Sequence, residues 1–102
     1  RRYWHLLGRP EKRIVIARDC AYHGSTIATS SLSGIPDLHG SGGDMPLPGI
    51  ERIGAPYWYL QGGDMPKDDF GVVAARWLED KILELGPDNV AAFFAEPMQG
   101  AG

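Results

Sequence analysis

Three neighbouring residues have side chains suited to binding a ligand: Tyr22, His23 and Gly24, just after an apolar run that ends at Arg18. Tyr22 offers a flat, mildly polar ring, His23 offers two ring nitrogens, and Gly24 lets the backbone approach a bound group closely. One histidine without an acidic or thiol neighbour is a poor metal site, so the pattern favours a planar, partly charged ligand. A tyrosine and a histidine satisfied within the core are the alternative, and the residues alone leave both open.

A second candidate is Glu96, which follows another apolar run and precedes Pro97 and the small residues at 99–102. A carboxylate at a strand end can hold a cationic or protonated group in a cleft, or it can cap backbone amides. The familiar catalytic motifs are absent: the sequence has no P-loop, no GxSxG and no HExxH. Ser25 near His23 is not a nucleophile–base pair by adjacency alone.

The spacing of apolar residues predicts the strands and the helix that position these residues. The runs 13–18 (RIVIAR) and 90–95 (VAAFFA) are short and apolar, which predicts buried strands. Residues 68–85 predict a helix that ends at Gly86 and Pro87. Its apolar stripe repeats at steps of four and three residues: Phe70, Ala74, Leu78, Ile82 and Leu85.

The remaining sequence predicts shorter pieces. Residues 1–7 resemble the tail of a helix, and a short helix is expected from Gly24 to near Gly34. Residues 35–67 predict a long loop in which GGDMP occurs at 42–46 and again at 62–66. We expect both copies to be solvated turns, with metal binding by Asp44 and Asp64 as the alternative. The aromatic residues 57–59 are expected to pack mainly within the chain, with contact to a partner surface or a ligand as the alternative.

This order of elements predicts an α/β fold. A strand, a helical connection and a second strand favour parallel pairing with a right-handed crossover. In open α/β sheets the ligand site lies outside the carboxyl ends of the strands. Both candidate segments fall there, so we expect Tyr22 and Glu96 to share one site.

Composition narrows the class of protein. The 102 residues carry a net charge of -3 and no basic stripe, which argues against nucleic acid as a partner, and the apolar runs are too short to span a membrane. Cys20 is the single cysteine, expected to be a small buried residue, and it fits a reducing, cytoplasmic setting. The chain lacks an initiator methionine and stops soon after a strand, so we expect a piece of a larger domain.

Four motifs together indicate a family. The chain has AYHGST after a strand, APYWY in the loop, a helix, and a strand ending in AEPMQGAG. This succession closely resembles the class III aminotransferases, which are fold type I enzymes that use pyridoxal phosphate. The likeness covers essentially all of residues 1–102. It implies part of the large cofactor-binding domain, a mostly parallel sheet flanked by helices that is incomplete at both ends.

The resemblance also implies roles for individual residues. Tyr22 would stack on the pyridine ring of pyridoxal phosphate, His23 and Gly24 would line the cofactor and substrate pocket, and Glu96 would lie near the cofactor and fix neighbouring side chains. In the ornithine and 4-aminobutyrate branches a second glutamate lies five residues after the first, where this chain has Ala101. The sequence is therefore more similar to the omega-transaminases that act on amines or β-alanine with pyruvate.

The implied function is amino transfer from an amine or ω-amino acid to a keto acid such as pyruvate, in a homodimeric full-length enzyme. The family's Schiff-base lysine would lie beyond Gly102, so no catalytic residue is expected here and the segment alone should be inactive. Lys12, Lys67 and Lys81 match no family motif and are expected to be surface charges. Alternatives are a non-catalytic α/β module, or a decarboxylase or aminomutase of the same class.

Overall fold

The computed structural model describes residues 1–40, 43 and 45–101. Five helices and three strands are considered below. In chain order these are α1 (Arg2–Leu6), β1 (Ile14–Arg18), α2 (Ile27–Leu32), α3 (Pro36–His39), β2 (Ile50–Ile53), α4 (Trp58–Gln61), α5 (Lys67–Leu85) and β3 (Val90–Phe93). A single 3₁₀ turn, Pro87–Asn89, leads into β3.

The strands form one parallel sheet in the order β2-β1-β3, which confirms the predicted α/β class. β1 is central: Val15 is paired with Ile50 of β2 and with Ala92 of β3. An irregularity between Ile14 and Val15 shifts the register against β3. All three strands therefore end at the same edge of the sheet.

One face of the sheet is covered by α5. Ile16, Ile53 and Val90 form the buried cluster on this face. Four side chains of α5 pack against it: Trp77, Leu78, Ile82 and Leu85. The predicted stripe is thus confirmed, and Trp77, which lies next to it in sequence, is an addition that the four-and-three spacing did not include.

The opposite face is covered only in part, by α1 and α2. A cavity of about 600 Å³ remains there, lined by apolar groups that include Trp4, Leu32, Val15, Ile50 and Phe94. The Trp4 indole N–H donates to the Ala91 carbonyl at 2.8 Å, which fixes α1 against β3. This face of the sheet is accordingly left with solvent-accessible apolar surface.

The prediction of a long loop at 35–67 is wrong in part, because α3, β2 and α4 lie within it. β2 was missed because it is only four residues long and two of them, Glu51 and Arg52, are charged. The second GGDMP copy forms the predicted turn, with the Met65 amide donating to the Gly62 carbonyl at 2.9 Å. The first copy includes Gly42 and Asp44, which lie outside the described residues.

Three further expectations need correction. Tyr57 and Tyr59 are exposed rather than packed within the chain, while the Trp58 indole N–H donates to the Met65 carbonyl at 2.8 Å. Cys20 is exposed rather than buried. Lys12 is not simply solvated, because its ammonium lies 4.5 Å from the centre of the Trp4 ring.

Candidate functional site

The predicted site residues come together at the carboxyl edge of the sheet. The Tyr22 amide, four residues past the end of β1, donates to Glu96 Oε1 at 3.0 Å. Glu96 lies three residues past the end of β3, so the contact joins the segments that follow two neighbouring strands. The adjacency expected from the strand-end rule is present in the structure.

Glu96 bonds to backbone rather than to a charged partner. Its second oxygen, Oε2, accepts the Gly100 amide N–H at 3.3 Å. These bonds to Tyr22 and Gly100 are the main causes that hold the pKa of the Glu96 carboxyl below its ordinary value, with smaller contributions from His23 and Arg18. The sequence left two roles open for Glu96, holding a cationic group or capping backbone amides. The hydrogen bonds match the second role.

Two more hydrogen bonds join the segment after β3 to the end of β1 and the residue that follows it. The Arg18 guanidinium donates to the Glu96 carbonyl, and the Gln99 side-chain amide donates to the Asp19 carbonyl at 3.1 Å. Arg18 Nε is buried without a hydrogen-bond partner among the described residues. Together these contacts fix the backbone that carries the Glu96 carboxylate.

The two rings of the candidate site differ in exposure. Tyr22 is 43% exposed as a whole residue. His23 is partly buried, and its ring meets Phe94 edge to face with 6.2 Å between the ring centres. His23 Nε2 is buried and has no hydrogen-bond partner in the described part of the chain. The site thus combines an exposed tyrosine with a buried ring nitrogen that has no partner among the described residues.

Gly24 has a conformational reason to be glycine. Its φ is +128°, and a Cβ there would lie 2.6 Å from Thr29 Oγ1. Thr29 belongs to a reciprocal cap at the start of α2: the Thr26 amide donates to Thr29 Oγ1 at 3.0 Å, and the Thr29 amide donates to Thr26 Oγ1 at 3.2 Å. The chain after His23 is therefore folded tightly onto the first turn of α2.

Gly34 and Ser33, which the sequence did not indicate, form hydrogen bonds with the backbone of residues 20–23. Gly34 bonds on both sides: the Cys20 amide donates to its carbonyl at 3.0 Å, and its own amide donates to the Ala21 carbonyl at 2.8 Å. Ser33 Oγ accepts the His23 amide N–H at 2.9 Å. A glycine beside a serine at the end of a short helix gives no sequence signal for such contacts.

Cys20 occupies an unusual backbone conformation in this turn. Its φ is +60°, which is uncommon for a residue with a Cβ. The bond from its amide to Gly34 holds the turn in place. A second cavity, of about 440 Å³, opens beside it and is lined by residues that follow all three strands: Cys20, Ala55, Pro56, Tyr57, Leu60, Gln99, Gly100 and Ala101.

The remaining lysines stand apart from this site. Lys67 begins α5 and is exposed, and Lys81 forms an ion pair with Glu84 at 3.3 Å. Within the described residues, no group of three or more histidine, cysteine, aspartate or glutamate side chains could hold a metal ion. No described helix combines the length and the apolar character needed to cross a membrane.

Comparison with known proteins agrees with this architecture. No family model matches the chain. The putrescine–pyruvate aminotransferase of Pseudomonas aeruginosa is 59% identical over 102 residues, which are all of this chain and 22% of that protein. A probable gamma-aminobutyrate transaminase 3 from Oryza sativa subsp. indica is 45% identical over 101 residues, 98% of this chain and 20% of that protein. The chain thus spans about a fifth of the length of these relatives.

Solved structures that resemble this chain are also transaminases. An (S)-enantioselective omega-transaminase from Thermomicrobium roseum superposes with a TM-score of 0.92 at 37% identity, over 99% of this chain and 22% of that one. A transaminase from ancestral reconstruction gives 0.91 at 41% identity, over 98% and 22%. By sequence and by fold, this chain corresponds to one segment of a class III aminotransferase. Within that class it resembles the omega-transaminases, as its motifs predict.

Proposed function

We propose that this chain is the part of a pyridoxal-phosphate-dependent aminotransferase that forms one wall of the cofactor site. The longer protein to which it would belong is called the parent protein below. The observation that carries the proposal is the joined pair of strand ends, where the Glu96 carboxylate holds the Tyr22 amide and leaves part of the Tyr22 ring exposed. Residues 1–102 would then be a portion of the large domain.

The residues present fit the cofactor in chemistry. A planar pyridine ring can stack on a flat aromatic face, and Tyr22 is an exposed aromatic residue at this edge of the sheet. The buried Nε2 of His23 has no hydrogen-bond partner within residues 1–40, 43 and 45–101, so it is a polar atom beside Tyr22 that is still to be satisfied. Gly24 permits the close turn that brings both side chains to the sheet edge. When bound, pyridoxal phosphate serves as the electron sink for amino transfer.

Each residue then has a defined task. Tyr22 limits the tilt of the ring by stacking on it, and His23 lines the pocket beside it. Glu96 acts through the backbone, because each of its oxygens accepts an amide N–H group, from Tyr22 and from Gly100. We therefore propose Glu96 as a positioning residue that keeps Tyr22 at the edge of the sheet.

We propose an amine or an ω-amino acid as donor and a keto acid such as pyruvate as acceptor. Support comes from the name of the 59% identical relative, which pairs putrescine with pyruvate, and from Ala101 in place of the second glutamate of the ornithine and 4-aminobutyrate branches. We also propose a homodimeric, cytoplasmic parent protein. The exposed Tyr57 and Tyr59 supply a surface for the partner subunit, and the free thiol of Cys20 suits a reducing compartment.

The test uses the purified parent protein. Titration with pyridoxal phosphate should produce a visible absorption band of the bound cofactor, and addition of putrescine should bleach it. Pyruvate should then restore the band while alanine accumulates. A parent protein that contains the family's lysine and yet shows no such band would refute the proposal.

A further inference from the structure

Two consecutive backbone amides in the candidate site are each held by a side chain from a different element. The Tyr22 amide donates to the Glu96 carboxylate, and the His23 amide donates to Ser33 Oγ at 2.9 Å. Ser33 directly follows α2, whereas Glu96 follows β3. The backbone that carries both rings is therefore fixed from two independent directions.

Ser33 is itself held rigidly. It is fully buried, and its hydroxyl donates to the Thr29 carbonyl at 2.9 Å while accepting from His23. Its own carbonyl accepts a hydrogen bond of 2.6 Å from Arg52 Nη2. A buried hydroxyl that donates one hydrogen bond and accepts another has little freedom to move, so it transmits the position of α2 to the His23 amide.

We infer that Ser33 is a positioning residue for the cofactor wall, setting the placement of Tyr22 and His23 through the His23 amide. The inference rests on the function proposed above. It assigns no contact between Ser33 and the cofactor. Removing the hydroxyl would leave the His23 N–H without its partner in a partly buried position, and the segment would relax toward other arrangements.

The chain offers a matched control in Ser31. Like Ser33 it is fully buried, and its hydroxyl donates to the carbonyl four residues earlier, Ile27, at 2.7 Å. It likewise accepts one loop amide, that of Leu47, at 3.0 Å. The two serines therefore differ mainly in which amide they hold, and only that of Ser33 belongs to the candidate site.

The experiment compares S33A with S31A in the parent protein. Both variants should lower the thermal midpoint by similar amounts. S33A alone should weaken pyridoxal phosphate binding about three- to tenfold and reduce the visible circular dichroism of the bound cofactor. Without cofactor, S33A should speed hydrogen–deuterium exchange in the peptide with Tyr22 and His23, whereas S31A should speed it around Leu47.

The outcomes separate the two proposals. Normal cofactor binding by the wild type, with equal affinity and equal dichroism in S33A and S31A, would overturn the role of Ser33 and leave the proposed function standing. Failure of the wild type to bind the cofactor would overturn both. If S33A does not fold, S33C keeps the shape of the side chain with a larger atom that is a weaker acceptor, and it should show the same loss of affinity in smaller degree. Wild-type affinity in S33C would count against the inference.

Discussion

At the scale of single residues, the site depends on the hydrogen bonds that the Glu96 carboxylate accepts. Glu96 accepts two backbone amides from opposite sides of the sheet edge, those of Tyr22 and Gly100. A carboxylate can accept both, whereas a glutamine at this position has only one acceptor oxygen. The carboxylate at position 96 therefore stabilises the backbone conformation at Tyr22 and Gly100.

This predicts a pH-dependent cost for E96Q in the parent protein. The folded state lowers the pKa of Glu96, so its stabilising contribution is present above the ordinary carboxyl pKa of about 4.3 and is lost as the pH falls through the lower folded value. The difference in thermal midpoint between wild type and E96Q should be largest at neutral pH and shrink below about pH 4. A constant difference across that range would contradict the bonding described for Glu96.

Part of this site could be predicted from sequence. Tyr22 and Glu96 each follow a recognisable apolar strand, and the strand-end rule places such residues at one edge. The contact of Glu96 with backbone amides, and the support from Ser33, could not be predicted because hydrogen bonds between distant residues leave no periodic signal. The burial of Cys20 was wrongly predicted because it rested on residue type alone, whereas Cys20 is exposed and lies in a turn with a φ of +60°.

At the scale of elements, the close approach of the end of α2 to the end of β1 sets the site. Gly34 is the point of contact, because a Cβ there would meet the Arg18 carbonyl and would lie 2.7 Å from both Asp19 Cα and the Cys20 nitrogen. These are backbone atoms of the turn that leads to Tyr22. A side chain at position 34 would therefore displace the backbone of this turn and, with it, Tyr22.

We accordingly expect G34A to destabilise the parent protein by about 2 kcal/mol or more, through overpacking against backbone. Gly71 is the matched control: it lies in α5, and a Cβ there meets no atom within 4 Å. G71A should be neutral or stabilising by about 0.5–1 kcal/mol, because alanine favours a helix. Chemical denaturation of both variants checks this, and a G34A variant as stable as G71A would refute the account of the contact.

The elements also show where sequence patterns succeed. Helix α5 was predicted at 68–85 and spans Lys67–Leu85, because its stripe is long and both ends carry turn or stop residues. β2 was missed because it is only four residues long, has two adjacent charged residues at its centre, and is flanked by glycines and prolines. Short strands at the end of a sheet depend on their pairing with a neighbour, here β1, rather than on local preference.

At the scale of the whole molecule, the chain is a thin layer. Its extents are 44 × 32 × 20 Å and its radius of gyration is 14.7 Å, against about 13 Å for a compact domain of 100 residues. α5 packs on one face of the sheet, and the other face retains the cavity of about 600 Å³. Apolar surface of this extent needs further protein to cover it.

The isolated 102 residues should therefore be marginally stable or prone to aggregate. They should bind the dye ANS strongly and unfold without a sharp thermal transition. The sequence predicts two strands, whereas the structure has a sheet of three. A cooperative transition together with weak dye binding would show that the segment folds as an independent domain.

The central claim is that the free ring face of Tyr22 holds the cofactor, and the most direct test is the affinity of the parent protein for pyridoxal phosphate in two variants at this position. Y22F keeps the flat face and should bind within about twofold of wild type, whereas Y22A removes the face and should bind about tenfold or more weakly. Both keep the backbone amide that donates to Glu96. Equal affinity of Y22A and Y22F, with both proteins folded, would contradict the account.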